Sequence, residues 1–251
     1  MLDEICRYKK REIKKLPPIS VKRQKPVLNI LESLRSKPFI MEIKRASPSY
    51  GDINLSFDIV RRASDYEKFG AGCISVLTDE KYFKGSLKYL KDVSETVNIP
   101  VLCKDFFVDP IQIDYAYVSG ADVILIIVAM LDVDEIKSLY RKAAQLGLHI
   151  LFEVHKLDEF EKIKNLDIEL LGVNCRDLKT FKINKENAYS LLQELPATLF
   201  KVAESGIENS DDIAFYKKAG ADAFLVGTYL MKSDNLQKAT EELYKGVNSV
   251  Y

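Results

Sequence analysis

The chain has 251 residues, 47% hydrophobic and 29% charged; Lys plus Arg and Asp plus Glu each number 37, so the formal net charge is zero. That length and apolar content can bury one full core as a single domain, residues 1–251, and zero net charge excludes a whole-protein field that would gather nucleic acid. The longest apolar run, Val123 to Leu131, is too short to cross a bilayer, so no membrane partner is expected.

Residues 1–38 read as an N-terminal helical extension of two segments, Asp3 to Leu16 and Val27 to Arg35, parted by Pro17-Pro18. The basic cluster Arg7, Lys9, Lys10, Arg11, Lys14 and Lys15 reads as a solvated helix face, not a nucleic-acid site. Asp3 and Glu4 stand beside it and no apolar stretch follows, so no secretory signal is expected. By itself the extension fits a lid over a substrate site, a plug beneath a core or a tail.

From Phe39 onward one pattern recurs: a short apolar run, a polar residue or two, then a helical stretch. Runs begin near Phe39, Gly72, Val101, Ala121, Leu148, Leu170, Phe200 and Ala223. Their spacing, roughly 20 to 33 residues, suits βα units and therefore parallel strands. Gly70-Ala71-Gly72, Gly120-Ala121-Asp122 and Gly220-Ala221-Asp222 form a weak internal repeat, each closing a helix and opening a run. Eight such units predict a (β/α)8 TIM barrel over residues 39–251. A doubly wound open sheet is the alternative, but no G-x-G-x-x-G follows the first strand.

In a barrel the C-terminal strand ends carry the chemistry. After the first strand come Glu42 and Lys44, which strand alternation places on one face. An acid and an ammonium side by side at a strand end fit either an active-site rim or a surface ion pair. Later ends carry Lys104 and Asp105, Glu153, Asn174 and Arg176, then Glu204, Ser205 and Gly206, and finally Gly227 and Thr228. Glycines after the last two strands would let backbone N–H groups approach a phosphate, with the Thr228 hydroxyl beside them.

The four cysteines, Cys6, Cys73, Cys103 and Cys175, make no C-x-x-C pair, and read as reduced, mostly buried thiols of a cytoplasmic protein. Alternation turns Cys103 away from the Lys104 face, against a nucleophilic role. His149 and His155 lack metal-ligand spacing, and lysines interleave the strand-end carboxylates, so neither metal nor other cofactor is expected.

Six ordered segments carry a family resemblance: Glu42 to Ser49 (EIKRASPS), Leu102 to Phe106 (LCKDF), Leu151 to Val154 (LFEV), Gly172 to Leu178 (GVNCRDL), Val202 to Ile207 (VAESGI) and Leu225 to Thr228 (LVGT). Together with Thr78 to Ser86, they resemble the motif set of indole-3-glycerol phosphate synthase over nearly all of residues 39–232. The resemblance implies a barrel whose N-terminal extension covers the active site. It also implies ring closure of 1-(2-carboxyphenylamino)-1-deoxyribulose 5-phosphate, with loss of carbon dioxide and water, in tryptophan biosynthesis.

Carried over residue by residue, the resemblance makes Lys104 the general acid of the condensation and Glu153 the acid/base of the dehydration. Glu42 would position Lys104, and Lys44 would bind the substrate's anionic groups, phosphate among them, and share later proton transfers. Asn174, Arg176, Glu204, Ser205 and Ser47 would hold the anthranilate part and sugar hydroxyls, with Phe83 and Phe106 against the ring. Gly206, Gly227 and Thr228 would hold phosphate. The expected partner is a small phosphorylated substrate, and the chain a monomer or weak homo-oligomer. Phosphoribosylanthranilate isomerase is the alternative enzyme, but it works with a Cys and Asp pair where this chain has Glu42 and Lys44. A barrel that binds without catalysing would leave the charged strand ends without use.

Overall fold

The apolar runs from Phe39 onward are four to six residues long and buried on both faces, which suits parallel strands covered by helices. The computed structural model describes residues 2–19, 21–47, 51–53, 57–177, 180 and 182–249. Of the motif residues, Pro48, Ser49 and Leu178 lie outside them. The strands are β1 (Phe39–Ile43), β2 (Cys73–Leu77), β3 (Val101–Lys104), β4 (Val123–Ile127), β5 (His149–Val154), β6 (Leu170–Asn174), β7 (Phe200–Glu204) and β8 (Ala223–Val226). Each pairs in parallel with its neighbours in the chain, and β8 pairs with β1 to close the barrel. The (β/α)8 expectation holds. A two-stranded ribbon, Ala46–Ser47 with Gly51–Asp52, follows β1.

Helices α1 (Leu2–Glu12) and α2 (Ile30–Ser36) precede the barrel. Around it lie α3 (Ile59–Lys68), α4 (Glu80–Phe83), α5 (Leu87–Thr96), α6 (Pro110–Val118), α7 (Val133–Gln145), α8 (Leu157–Ile163), α9 (Lys185–Glu194), α10 (Ser210–Lys218), α11 (Thr228–Lys232) and α12 (Leu236–Asn248). Local chemistry starts many of them: Asp58, Asp79, Ser86, Asp109, Asp132, Asn184, Asn209 and Asn235 cap helix N-termini with their side chains. The glycine repeat ends three of them alike. Gly70, Gly120 and Gly220 have φ of 101°, 94° and 97°, and Ala71, Ala121 and Ala221 each donate their N–H to the carbonyl five residues back.

Two apolar layers result. Phe39, Met41, Ile74, Val101, Cys103, Ile124 and Phe152 face the helices, whereas Ile40, Cys73, Leu102, Val123, Leu125, Leu151, Leu170, Val202 and Leu225 fill the barrel. Ile30 and Leu34 of α2 belong to the interior layer and are fully buried, so α2 seals the barrel's N-terminal end. There Ser33 donates to the Gly72 carbonyl at 2.6 Å, and Arg23 pairs with Asp122 at 2.6 Å.

Helix α1 sits at the opposite end. Lys9 reaches Asp79 and Asp105, just past β2 and β3, and Lys10 pairs with Glu135 at 2.7 Å. The chain between α1 and α2 descends past α6, where the Tyr115 hydroxyl donates to the Pro17 carbonyl and the Arg23 guanidinium lies over the Tyr117 ring. The two halves of the extension therefore meet opposite ends of the barrel: α1 lies against the loops past β2 and β3, where a lid would sit, and α2 under the N-terminal end, where a plug would sit. Helix α2 starts at Ile30 and not at Val27, because Asn29 accepts the N–H of Glu32 and makes the cap. The reading of Lys9 as part of a solvated face is also corrected: it is 3% exposed, held inward by carboxylates distant in sequence.

Candidate active site

Strand alternation makes the site. The apolar interior of the barrel gives way near the C-terminal strand ends, and inward positions there carry Glu42, Lys104, Glu153, Asn174 and Glu204. A cavity opens above them, lined by Glu42, Lys44, Ser47, Phe83, Lys104, Phe106, Glu153, Asn174, Arg176, Ser205, Gly206, Gly227 and Thr228. Glu204 is not part of that lining; 1% exposed, it lies in contact with Lys104.

Lys104 Nζ is 3.2 Å from Glu42 Oε2 and 3.2 Å from Glu204 Oε2, so carboxylates from β1 and β7 grip one ammonium. Glu42 Oε1 takes Lys44 at 2.9 Å. Burial pushes the Glu42 carboxyl up, but Lys104 and Lys44 outweigh it and hold it down to about 2. Burial would lower the Lys104 ammonium; Glu42, Glu204 and Glu153 overcome that and raise it above the ordinary lysine value. Glu204 is the reverse case, raised to about 7 because burial and the nearby Glu153 and Glu42 charges exceed what Lys104 returns. The Glu42–Lys44 pair is thus part of a buried network and not a surface ion pair.

Two glycines make room for these carboxylates. A Cβ on Gly172 would stand 2.1 Å from Glu204 Oε1, and one on Gly227 would stand 2.6 Å from Glu42 Oε1. Gly227 thus serves close packing under the cavity as well as the loop before α11. After β7, Ser205 and Gly206 both have positive φ, 70° and 69°, and Ser205 is one of two non-glycine residues among those described in that region. Phe83 and Phe106 form an aromatic wall, ring centroids 5.9 Å apart.

Sequence reasoning missed three supports. Lys9 bridges Asp79 at 2.8 Å and Asp105 at 2.7 Å, in the loops that carry Phe83 and Phe106. Glu159 and His155 stand behind Glu153, with His155 Nε2 3.3 Å from Glu153 Oε1. The available signal was the i,i+4 spacing of His155 and Glu159 at a helix start; for Lys9 there was none. Cys103 packs outward with its Sγ 3.4 Å from Thr78 Oγ1, and burial pushes its thiol up, in keeping with a structural role.

Residues 2–243 match the sequence profile of the family described as indole-3-glycerol phosphate synthase. The chain belongs to that family. It is 43% identical over 245 residues to an indole-3-glycerol phosphate synthase of Bacillus cereus (strain B4264), covering 96% of this chain and 97% of that one. To that of Bacillus anthracis it is 41% identical over 245 residues, with the same coverage. Among solved structures, a 3-hexulose-6-phosphate synthase superposes with TM-score 0.67 at 13% identity, over 83% of this chain and 99% of that one. Thiamine phosphate pyrophosphorylase from Pyrococcus furiosus does so with TM-score 0.63 at 18% identity, over 86% and 98%. These two likenesses show the barrel fold. As an indole-3-glycerol phosphate synthase the chain is a decarboxylating carbon–carbon lyase of tryptophan biosynthesis acting on a phosphorylated small molecule. Among the described residues no helix is long and apolar enough to cross a membrane.

Proposed function

We propose that Lys104 donates the proton to the ketone oxygen of the carboxyphenylamino-deoxyribulose phosphate as the ring closes. The observation that carries this is its ammonium, gripped from two strands at the base of the cavity. The raised pKa keeps the group charged, and the alkoxide formed in ring closure is basic enough to take its proton. Carbon dioxide then leaves from the ring carbon that attacked the ketone, its bonding pair restoring the aromatic system.

Dehydration needs a base for the methylene beside nitrogen and an acid for the departing hydroxyl. Burial pushes Glu153 up, but His155, Lys104 and Asn174 outweigh it, so Glu153 rests as a carboxylate and serves as the base. Lys44, lining the cavity beside Glu42, is then the acid, and also an anchor for the substrate's anionic groups. Phe83 and Phe106 would pack on the anthranilate ring; Asn174, Arg176, Ser205 and Ser47 would hold its carboxylate and the sugar hydroxyls, with Glu204 acting through Lys104. Gly206, Gly227 and Thr228 would take the phosphate. The chain works in the cytoplasm as one unit, residues 1–251, a monomer or weak homo-oligomer, without a metal, other cofactor or nucleic acid.

The test is a fluorescence assay for indole formation from that substrate, in the presence of a strong chelator. Turnover at an undiminished rate is the expected result; activity lost to the chelator and restored by Zn²⁺ or Mg²⁺ would overturn the metal-free mechanism.

A further inference from the structure

Behind Glu153, at the mouth of β5, lies an imidazole that the proposed chemistry does not use. His155 Nε2 is 3.3 Å from Glu153 Oε1, and its Nδ1 is 3.3 Å from Glu159 Oε2. The His155 backbone N–H donates to that same Glu159 oxygen at 2.7 Å. The side chains of Glu153, His155 and Glu159 are 2%, 11% and 6% exposed. A glutamate in the first turn of an outer helix ordinarily points to water. Glu159 is instead turned inward, and an anion so buried is tolerable only with a cation and a donor beside it. His155 supplies both.

We infer that His155 is a positioning residue for Glu153: anchored by Glu159 and protonated on both nitrogens, it engages Oε1, keeps the carboxylate ionised and leaves the second oxygen for the substrate. The inference rests on the proposed role of Glu153 as base. Burial would lower the imidazolium, but Glu153 and Glu159 outweigh that and raise it to about 10, so it persists through neutral pH. The other groups that act on Glu153 reach it across the barrel mouth from other strands: Lys104 of β3, Asn174 of β6 and Glu204 of β7. Lys104 is already shared with Glu42 and Glu204, and Glu204 when ionised repels Glu153. Without His155 the buried Glu153 carboxyl would hold its proton to higher pH.

The experiment measures kcat and KM against pH for His155→Leu, Glu159→Gln and Glu153→Gln, with circular dichroism as the check on folding. His155→Leu should move the acid limb of the kcat profile up by about one pH unit or more, with KM within about twofold of the parent. A folded variant whose limb does not move would sink the inference, because lost packing alone changes rates without moving a titration. Should the Leu variant not fold, Glu159→Gln decides. With one counter-charge gone the imidazolium should titrate nearer its ordinary range and add a fall in kcat as pH rises through neutrality. A parental profile there overturns the positioning role. Glu153→Gln separates the two claims: if it stays active, Glu153 is not the base and the inference falls with it. If it is inactive while the His155 and Glu159 profiles match the parent, only the inference fails.

Discussion

The Lys9 ammonium of α1 lies 2.7 Å from the carboxylate of Asp105, the residue that follows Lys104. The other oxygen of Asp105 accepts from Thr78 Oγ1 at 2.7 Å, and Asp79 caps α4, which carries Phe83. One lysine of the extension therefore ties the cover to both loops of the aromatic wall.

Lys9→Met should cost about 3–5 kcal/mol, since it leaves two carboxylates, 0% and 12% exposed, without their cation. KM should rise more than kcat falls, because the wall and not the acid is loosened. Denaturant titration and steady-state kinetics check both. Deletion gives a sharper contrast. Removing residues 1–15 should spare the barrel, whereas removing 1–38 strips Ile30 and Leu34 from its interior and should unfold it.

Lys104→Met keeps most of the stem volume and removes the acid. Single-turnover rates should fall about 10²- to 10⁴-fold with the fold intact. Lys104→Arg should not restore them, because a guanidinium yields its proton far less readily and has a different shape. A Met variant within about fivefold of the parent would point to Lys44 instead.

Gly172→Ala probes the floor of the site. Its Cβ would stand 2.1 Å from Glu204 Oε1, so the Glu204 carboxylate must move and Lys104 loses one side of its grip. A loss of about 10²-fold in kcat is expected, with only a modest change in Tm.

The Glu204 carboxyl, raised from 4.5 to about 7, sets a pH dependence of stability. The folded state binds this proton more tightly than the unfolded chain, so the stabilisation is full below about 4.5 and is lost as pH rises to about 7. Glu204→Gln, neutral at every pH, should escape that loss. Its Tm relative to the parent should climb across this window; a flat difference would refute the raised pKa.

Inorganic phosphate or sulfate should compete with substrate and raise Tm by mass action, beyond the shift of a control protein. Thr228→Val, which removes the hydroxyl of the first residue of α11, should reduce both effects while leaving Tm without anion close to the parent.

The barrel was legible in the sequence because its signals are local and repeated. Apolar runs such as Val123 to Ile127 are strands by length, and Gly70, Gly120 and Gly220 end helices wherever they stand. Glu42, Lys104, Glu153 and Asn174 were legible for the same reason, since alternation along an apolar strand fixes the face of each residue at its end. Only the tertiary structure decided that α1 and α2 cover opposite ends, because a short amphipathic segment shows that it has an apolar face but not what that face meets. It also decided that Lys9 is buried, that Glu204 grips Lys104 instead of lining the cavity, and that Gly172 and Gly227 make way for carboxylates. Each of these depends on charges brought within about 3 Å by strands and helices far apart in the chain, and a charge paired across such distances carries no local pattern.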